Sequence, residues 1–221
     1  MDSNILGVIA SSGGGVIFEI LPFLRRKKID LKIITDRSCE IESKCIMENI
    51  EFNRIVYKDK NLFSKEANLF FKSKGVMRLV LLFFTRLIAE EIYGNFFTFN
   101  IHPSFLPLFA GFGALKKVSN SDVKLLGASV HRVNENLDKG PIFAQIMNSF
   151  TKDKIEFISF MQKVYLALAV IDAYIYYPEK LKKPLDLTTY YINASFKLSY
   201  EAESFFREIE MRYATKILAR S

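Results

Sequence analysis

The residues best suited to chemistry are two histidines, His102 and His131, the only ones in the 221-residue chain. His102 comes directly after an apolar run, at the position where open α/β sheets place their ligand sites. Asn100 precedes it by two residues, so both side chains should project from the same side of an extended strand. An amide and an imidazole aimed together can hold a carbonyl oxygen and move a proton as charge develops.

The other polar candidates give weaker signals. Asp138 lies between two apolar runs in the segment 137–141 (LDKGP), which by itself is typical of a turn. His131 alternates with apolar residues, so we expect a structural side chain in a strand. Cys39 and Cys45 are predicted to be free thiols, which favours a reducing, cytoplasmic location. Two histidines and two distant cysteines give no metal-ligand spacing, so no metal is predicted.

Elements that alternate between strand and helix must position these residues. The first strand is followed by the glycine-rich turn 11–15 (SSGGG), and the alternation predicts a mostly parallel central sheet with helices on both faces. Strands are predicted over 5–10, 31–35, 54–57, 77–84 and 96–101, and helices over 16–28, 61–74 and 87–93.

The pattern changes after residue 101. Two strands, 126–133 and 142–150, are joined by a turn at 134–140, and a long helix over 155–182 is apolar on most faces and therefore mostly buried. A small hairpin over 186–198 and a helix over 200–219 complete the predicted elements. We therefore predict a catalytic domain over 1–185 and a C-terminal hairpin and helix appendage over 186–221.

Composition excludes several classes of protein. Half of the residues are hydrophobic and a quarter are charged, which excludes a disordered chain. The net charge is +7. The short basic clusters at 25–28 and 180–183 lie where helices should end, and cations there interact favourably with the helix dipole. We therefore predict no nucleic-acid partner. No apolar run approaches the roughly 18 residues of a membrane span, so no membrane partner is predicted either.

Four segments of the chain carry a family resemblance: 99–107 (FNIHPSFLP), 127–133 (GASVHRV), 137–145 (LDKGPIFAQ) and 84–88 (FTRLI). The first three, in this order, resemble the folate-dependent formyltransferase family, most closely its glycinamide ribonucleotide formyltransferase pattern. The fourth resembles the strand end that lines the folate pocket in that family. The likeness covers roughly residues 5–180 and implies a Rossmann-like fold.

The resemblance implies a 10-formyltetrahydrofolate co-substrate and an enzyme that formylates a primary amine. It assigns Asn100, His102 and Asp138 as the catalytic trio, with Asn100 and a protonated His102 stabilising the oxyanion and Asp138 raising the basicity of His102. Implied folate contacts are Arg86, Leu87, Ile88, Asn136 and Gly140. Implied acceptor contacts are Ser11, Ser12, Gly13, Gly14, Gly15 and, on the long helix, Tyr165 or a neighbour.

Two departures from the family pattern concern the acceptor. Purine-pathway members carry Gly-Ser-Asn after the first strand, where this chain has Gly14-Gly15-Val16. They also carry a glutamate on the long helix for the glycinamide amine, which we align with Tyr165 or a neighbour. These losses favour a nucleotide-linked amino sugar as acceptor, with glycinamide ribonucleotide of purine biosynthesis as the alternative.

Two other classes of protein fit the sequence less well. An inactive binding module should have lost a member of the trio, and all three are present. A methionyl-tRNA formyltransferase would need a basic C-terminal barrel, which about 35 residues are too few to build. A homodimer is the candidate assembly.

Overall fold

The computed structural model describes residues 4–12, 14–182 and 197–218. Its sheet has seven strands in the order β3-β2-β1-β4-β5-β6-β7. The first five strands along the chain pair in parallel, whereas β6 pairs antiparallel with β5 and with β7. The strands are β1 (Asn4–Ala10), β2 (Ile29–Thr35), β3 (Glu51–Arg54), β4 (Leu79–Phe83), β5 (Phe97–His102), β6 (Leu125–Arg132) and β7 (Ile142–Ser149).

Seven α-helices are described, together with short 3₁₀ segments at Lys152–Lys154 and Lys180–Lys182. They are α1 (Gly15–Arg26), α2 (Glu40–Met47), α3 (Lys60–Ser73), α4 (Glu90–Tyr93), α5 (Ala114–Ser119), α6 (Ile155–Tyr176) and α7 (Tyr200–Leu218).

Helices cover both faces of the sheet because its central strands are apolar on both sides. Leu6 and Val8 of β1 pack into a core shared with α1, α2, α6 and α7. Ile9, the residue after Val8, points to the opposite face and joins a core with α3 and α4. The predicted α/β fold with a mostly parallel sheet is confirmed.

The short elements differ from their predictions. Strand β3 lies at Glu51–Arg54, three residues before its predicted start, and α2 and α5 were not predicted. All three are short, and β3 is an edge strand without a fully buried side chain. The long helix ends at Tyr176, where a turn and a 3₁₀ segment continue the chain. The three short elements bury few side chains, and burial is the main source of a periodic hydrophobic pattern in the sequence.

Helix α6 is the one described helix that is long and apolar enough to cross a membrane, but 72% of its most apolar window is buried inside the protein. It packs on β6 and β7 and against α1 and α7. A membrane-spanning helix exposes its apolar surface to lipid, so the burial of α6 inside the protein is typical of a core helix.

Helix α7 joins the main core through Ala202, Phe205, Phe206 and Ile209. Phe205 packs against Phe23 of α1 with tilted rings at a centroid distance of 5.4 Å. The predicted hairpin over 186–198 lies outside the described residues except for its last two positions. The boundary at residue 185 stays a prediction.

Candidate functional site

A cavity of about 450 Å³ opens at the carboxyl ends of β1, β4 and β5. Strands β1 and β4 flank the point where the strand order reverses, and open α/β sheets bind ligands there. The cavity is lined by strand ends, by the 111–114 and 133–138 loops and by one face of α6. This is the place where the sequence predicted a ligand site.

Asn100, His102 and Asp138 meet in this cavity. His102 Nδ1 lies 3.4 Å from Asp138 Oδ2, and Asn100 Nδ2 lies 3.5 Å from Asp138 Oδ1. The Gly111 N–H donates to Asp138 Oδ2 at 2.8 Å. Asn100 and His102 share one face of β5 because they are two residues apart, as the sequence predicted. Asp138 reaches them from the β6–β7 turn, where its φ of 54° is one that aspartate tolerates better than most residues.

His131 is a fourth polar member of the site, where we expected a purely structural residue. It lies directly opposite Asn100 in the antiparallel β5–β6 pair, and its Nε2 is 3.3 Å from Asn100 Nδ2 and 3.4 Å from Asp138 Oδ1. His131 Nδ1 lies 3.2 Å from the Arg132 carbonyl oxygen and donates to it. His131 Nε2 is thus within hydrogen-bond distance of the Asn100 amide and close to the Asp138 carboxylate, which restricts the orientation of the Asn100 amide.

Burial and charge act in opposition on His102 and Asp138. Burial lowers the pKa of His102 below its ordinary value, although the Asp138 carboxylate opposes this. Desolvation outweighs the carboxylate because both side chains are buried. For Asp138, burial favours the neutral acid, yet contacts with His131, His102 and the Gly111 N–H bring its pKa below the ordinary value.

A buried hydrogen-bond network holds the loop after His102. Ser129 Oγ donates to the Ser104 carbonyl oxygen at 2.8 Å and accepts from the Leu106 N–H at 2.9 Å. Gln145 Nε2 donates to the Leu106 carbonyl oxygen at 2.9 Å. His102 is thus set on a strand end whose following loop is tied to β6 and β7, which keeps its geometry constant.

Four of the five predicted folate contacts line the cavity, namely Arg86, Leu87, Ile88 and Asn136. Gly140 is not among the described lining residues. A Cβ on Gly140 would lie 1.7 Å from the Arg132 carbonyl oxygen, so this glycine permits a close backbone approach in the turn that carries Asp138.

The β1–α1 turn contributes Ser12, Gly14 and Gly15 to the cavity. Gly14 has a φ of 64°, which favours glycine, and its position has no room for a side chain beside Ile41. Ser11 is buried instead and its Oγ accepts from the Thr85 N–H at 3.3 Å. Gly13 lies outside the described residues.

Tyr165, which the resemblance gave together with its neighbours as an acceptor contact, is not among the residues that line the cavity. Its ring packs against Phe206 of α7 at a centroid distance of 5.2 Å. The α6 side chains that line the cavity are Phe160 and Lys163. Two residues correspond to about 200° of rotation on a helix, so Lys163 and Tyr165 point to opposite sides.

No set of three or more potential metal ligands is present among residues 4–12, 14–182 and 197–218. Asp138 in the cavity lies between the His102 and His131 imidazoles, at 3.4 Å from each.

Comparison with curated proteins finds partial matches. Phosphoribosylglycinamide formyltransferase of Bacillus subtilis (strain 168) is 36% identical over 92 residues, or 40% of this chain and 47% of that protein. Formyltetrahydrofolate deformylase of Escherichia coli (strain K12) is 41% identical over 69 residues, 30% of this chain and 25% of that protein. The matched segment thus spans less than half the length of either relative.

Solved structures share the fold over most of their length. Phosphoribosylglycinamide formyltransferase of Campylobacter jejuni superposes with a TM-score of 0.69 at 26% identity, covering 77% of this chain and 97% of that one. Glycinamide ribonucleotide transformylase 1 of Symbiobacterium toebii gives a TM-score of 0.68 at 23% identity, with 81% and 86% covered. The latter shows similarity of fold alone.

The family model described as "Formyl transferase" matches residues 26–156, more than half of the chain. That range contains Asn100, His102, His131 and Asp138, the four polar residues that meet in the cavity. The match, the fold and the resemblance seen in the sequence agree, and the chain belongs to the formyl transferase family.

Proposed function

We propose that this protein transfers a formyl group from 10-formyltetrahydrofolate to a primary amine. The observation that carries the proposal is the meeting of Asn100, His102 and Asp138 at the carboxyl edge of the sheet, inside one cavity. Membership of the formyl transferase family supports the same chemistry. The folate would lie along Arg86–Ile88 and the turn at Asn136, which line one part of that cavity.

In the proposed reaction, the amine nitrogen attacks the formyl carbon and the carbonyl electron pair moves to oxygen. The Asn100 amide donates to this oxyanion as charge develops. His102, neutral because burial lowers its pKa, accepts the proton that the attacking amine loses. The resulting imidazolium is paired with Asp138 and stabilises the oxyanion, and its proton then passes to the folate nitrogen as the carbon–nitrogen bond breaks.

The comparisons favour phosphoribosylglycinamide as the acceptor. Relatives and structural neighbours include several phosphoribosylglycinamide formyltransferases. We therefore propose phosphoribosylglycinamide ahead of the amino-sugar nucleotide that the sequence departures had favoured. The test is a panel of both acceptors, with tetrahydrofolate release measured under the same salt conditions. Release that responds only to the amino-sugar nucleotide would contradict this order.

A second candidate function is hydrolysis of 10-formyltetrahydrofolate. The 41% identity over 69 residues to a formyltetrahydrofolate deformylase favours it, and the same trio can activate water in place of an amine. The two functions differ in one observable: hydrolysis releases formate at a rate independent of any amine, whereas transfer requires the amine.

His131→Ala is expected to lower kcat by about 10- to 100-fold, because a misplaced Asn100 amide loses its alignment with the oxyanion. His131→Gln should recover part of this loss, since its amide oxygen can still accept from Asn100. Steady-state kinetics of both variants test the prediction. Equal activity in His131→Ala and the unmodified enzyme would show that His131 only fills space.

The pH profile should respond to the charge of Asp138. His102 must be neutral to accept a proton, so kcat/KM should fall at low pH as His102 becomes protonated, with a midpoint below the ordinary histidine pKa of about 6.5. Asp138 raises the pKa of His102, and Asp138→Asn should therefore move that midpoint to still lower pH. Glu135→Gln, on the same turn, removes the same charge and should leave the midpoint unchanged. A shift to higher pH in Asp138→Asn would refute the assigned coupling.

The cytoplasmic location, the absence of nucleic-acid and membrane partners and the homodimer remain predictions of the sequence.

A further inference from the structure

The cavity-lining segment Arg86–Ile88 lies in an irregular stretch of chain between β4 and α4. A stretch outside helices and strands lacks their repeating hydrogen bonds, so its conformation depends on contacts from other elements. Two serine hydroxyls fix the ends of this stretch. Ser11 Oγ accepts from the Thr85 N–H at 3.3 Å, and the buried Ser64 Oγ accepts from the Ala89 N–H at 2.8 Å. The middle of the stretch needs contacts of its own.

Tyr57, in the loop between β3 and α3, contacts the middle of this stretch at two points. Its hydroxyl donates to the Leu87 carbonyl oxygen at 3.0 Å, and burial raises the pKa of Tyr57, which keeps the hydroxyl protonated. The Arg86 guanidinium carbon lies 5.5 Å from the centroid of the same ring, within the range of cation–π attraction. Tyr57 itself is not among the residues that line the cavity.

The Tyr57 ring is held in place by an aromatic cluster. Its centroid lies 5.3 Å from that of Phe63 and 6.0 Å from that of Phe84. Those two rings stack on each other at 5.0 Å, and Phe63 is fully buried. Packed aromatic rings of this kind have little freedom to reorient. The hydroxyl of Tyr57 is therefore presented to the Leu87 carbonyl oxygen from a fixed position.

A buried carboxylate contacts Arg86 as well as its own neighbour. Asp36 directly follows β2, and its Oδ2 lies 3.8 Å from Arg86 Nε. Arg37 Nη2 donates to the same oxygen at 2.8 Å. Arg86 thus contacts both the aromatic face of Tyr57 and the carboxylate of Asp36, while 49% of its side chain stays exposed at the cavity.

We propose that Tyr57 is a positioning residue for the folate: it fixes the segment Arg86–Ile88 in the conformation that binds the co-substrate. The assignment rests on the proposed function, which places the folate along this segment. Tyr57 acts through the Leu87 backbone and the Arg86 side chain, so it should change the affinity for the folate. The chemical step belongs to Asn100, His102 and Asp138, which the Tyr57 contacts do not include.

The kinetic test compares Tyr57→Phe with Tyr200→Phe, which removes the same hydroxyl from a residue that is 91% exposed on α7. Tyr57→Phe should raise the KM for 10-formyltetrahydrofolate about three- to tenfold, the ratio expected for one lost hydrogen bond. The kcat and the KM for the acceptor should change by less than about twofold. Tyr57→Leu should raise the folate KM further, because the ring beneath Arg86 is lost too. A fall in thermal stability of Tyr57→Phe with an unchanged folate KM would overturn the proposal.

Calorimetric titration with tetrahydrofolate, the product of the proposed reaction, tests the positioning role without any formyl transfer. The unmodified protein and Tyr200→Phe should bind it equally, and Tyr57→Phe should bind it about three- to tenfold more weakly. Equal binding by all three proteins would overturn the role of Tyr57 while leaving the proposed function intact. Absence of binding by the unmodified protein would overturn the proposed function itself, and the folate assignment of Tyr57 with it.

Discussion

Replacing His102 by alanine is expected to lower kcat for formyl transfer by about 10²- to 10⁴-fold, the usual contribution of a positioned acid–base group. The loss follows because the variant removes the imidazole that pairs with Asp138 Oδ2 at 3.4 Å, whereas His131 contacts the other carboxylate oxygen. Asp138→Asn should cause a loss in the same range, since it removes the carboxylate that stabilises the imidazolium. Single-turnover kinetics with saturating folate measure the chemical step directly.

Folate binding supplies the control for these variants. The proposed folate contacts at Arg86–Ile88 and Asn136 come from other chain segments than His102, so the dissociation constant for the folate should change little. The double variant should be little slower than either single variant, because residues that act as a unit are not additive. Turnover within about threefold of the unmodified enzyme in folded His102→Ala would remove His102 from the mechanism.

Replacing Gly140 by alanine is expected to lower the free energy of unfolding by about 3 kcal/mol or more, at or above the upper end of overpacking costs. The new Cβ would lie 1.7 Å from the carbonyl oxygen of Arg132 and 2.9 Å from its carbonyl carbon. These are backbone atoms of a paired strand, so the clash cannot be relieved by a change of rotamer. Because the displaced turn carries Asp138, activity should fall as well.

Gly15→Ala is the matched control for the stability measurement. A Cβ there meets only Phe160 at 3.5 Å, an ordinary contact, and the residue begins α1, where alanine is a better helix former than glycine. Urea unfolding should show no loss of stability for Gly15→Ala. If Gly140→Ala unfolds at the same urea concentration as the unmodified protein, the close approach of the two backbone segments is wrong.

The sequence was informative where the relevant geometry is local. Asn100 and His102 share a strand face by their spacing alone, and the strongly apolar strands and the helices α1 and α3 were predicted within a few residues. His131 was misjudged because its role depends on the β5–β6 register, which places it opposite Asn100. The pairing of two strands is not visible in the periodicity of either one.

The residues of α6 that line the cavity were not singled out from the sequence, for a different reason. Helix α6 is apolar on most faces, so its hydrophobic pattern does not tell which side faces the cavity. Lys163 is the signal that was available, since a charged residue in the middle of a buried helix needs solvent or a ligand. The short elements α2, α5 and β3 bury few side chains and therefore give weak patterns.

The most direct test of the proposed function follows the formyl carbon itself. The protein is incubated with 10-formyltetrahydrofolate labelled with ¹³C in the formyl group, with and without phosphoribosylglycinamide, and the products are observed by nuclear magnetic resonance. We predict that the label appears as an N-formyl group on the acceptor, that little is released without the acceptor, and that His102→Ala abolishes the transfer. Label that appears as formate at the same rate with and without the amine would contradict formyl transfer and identify a hydrolase.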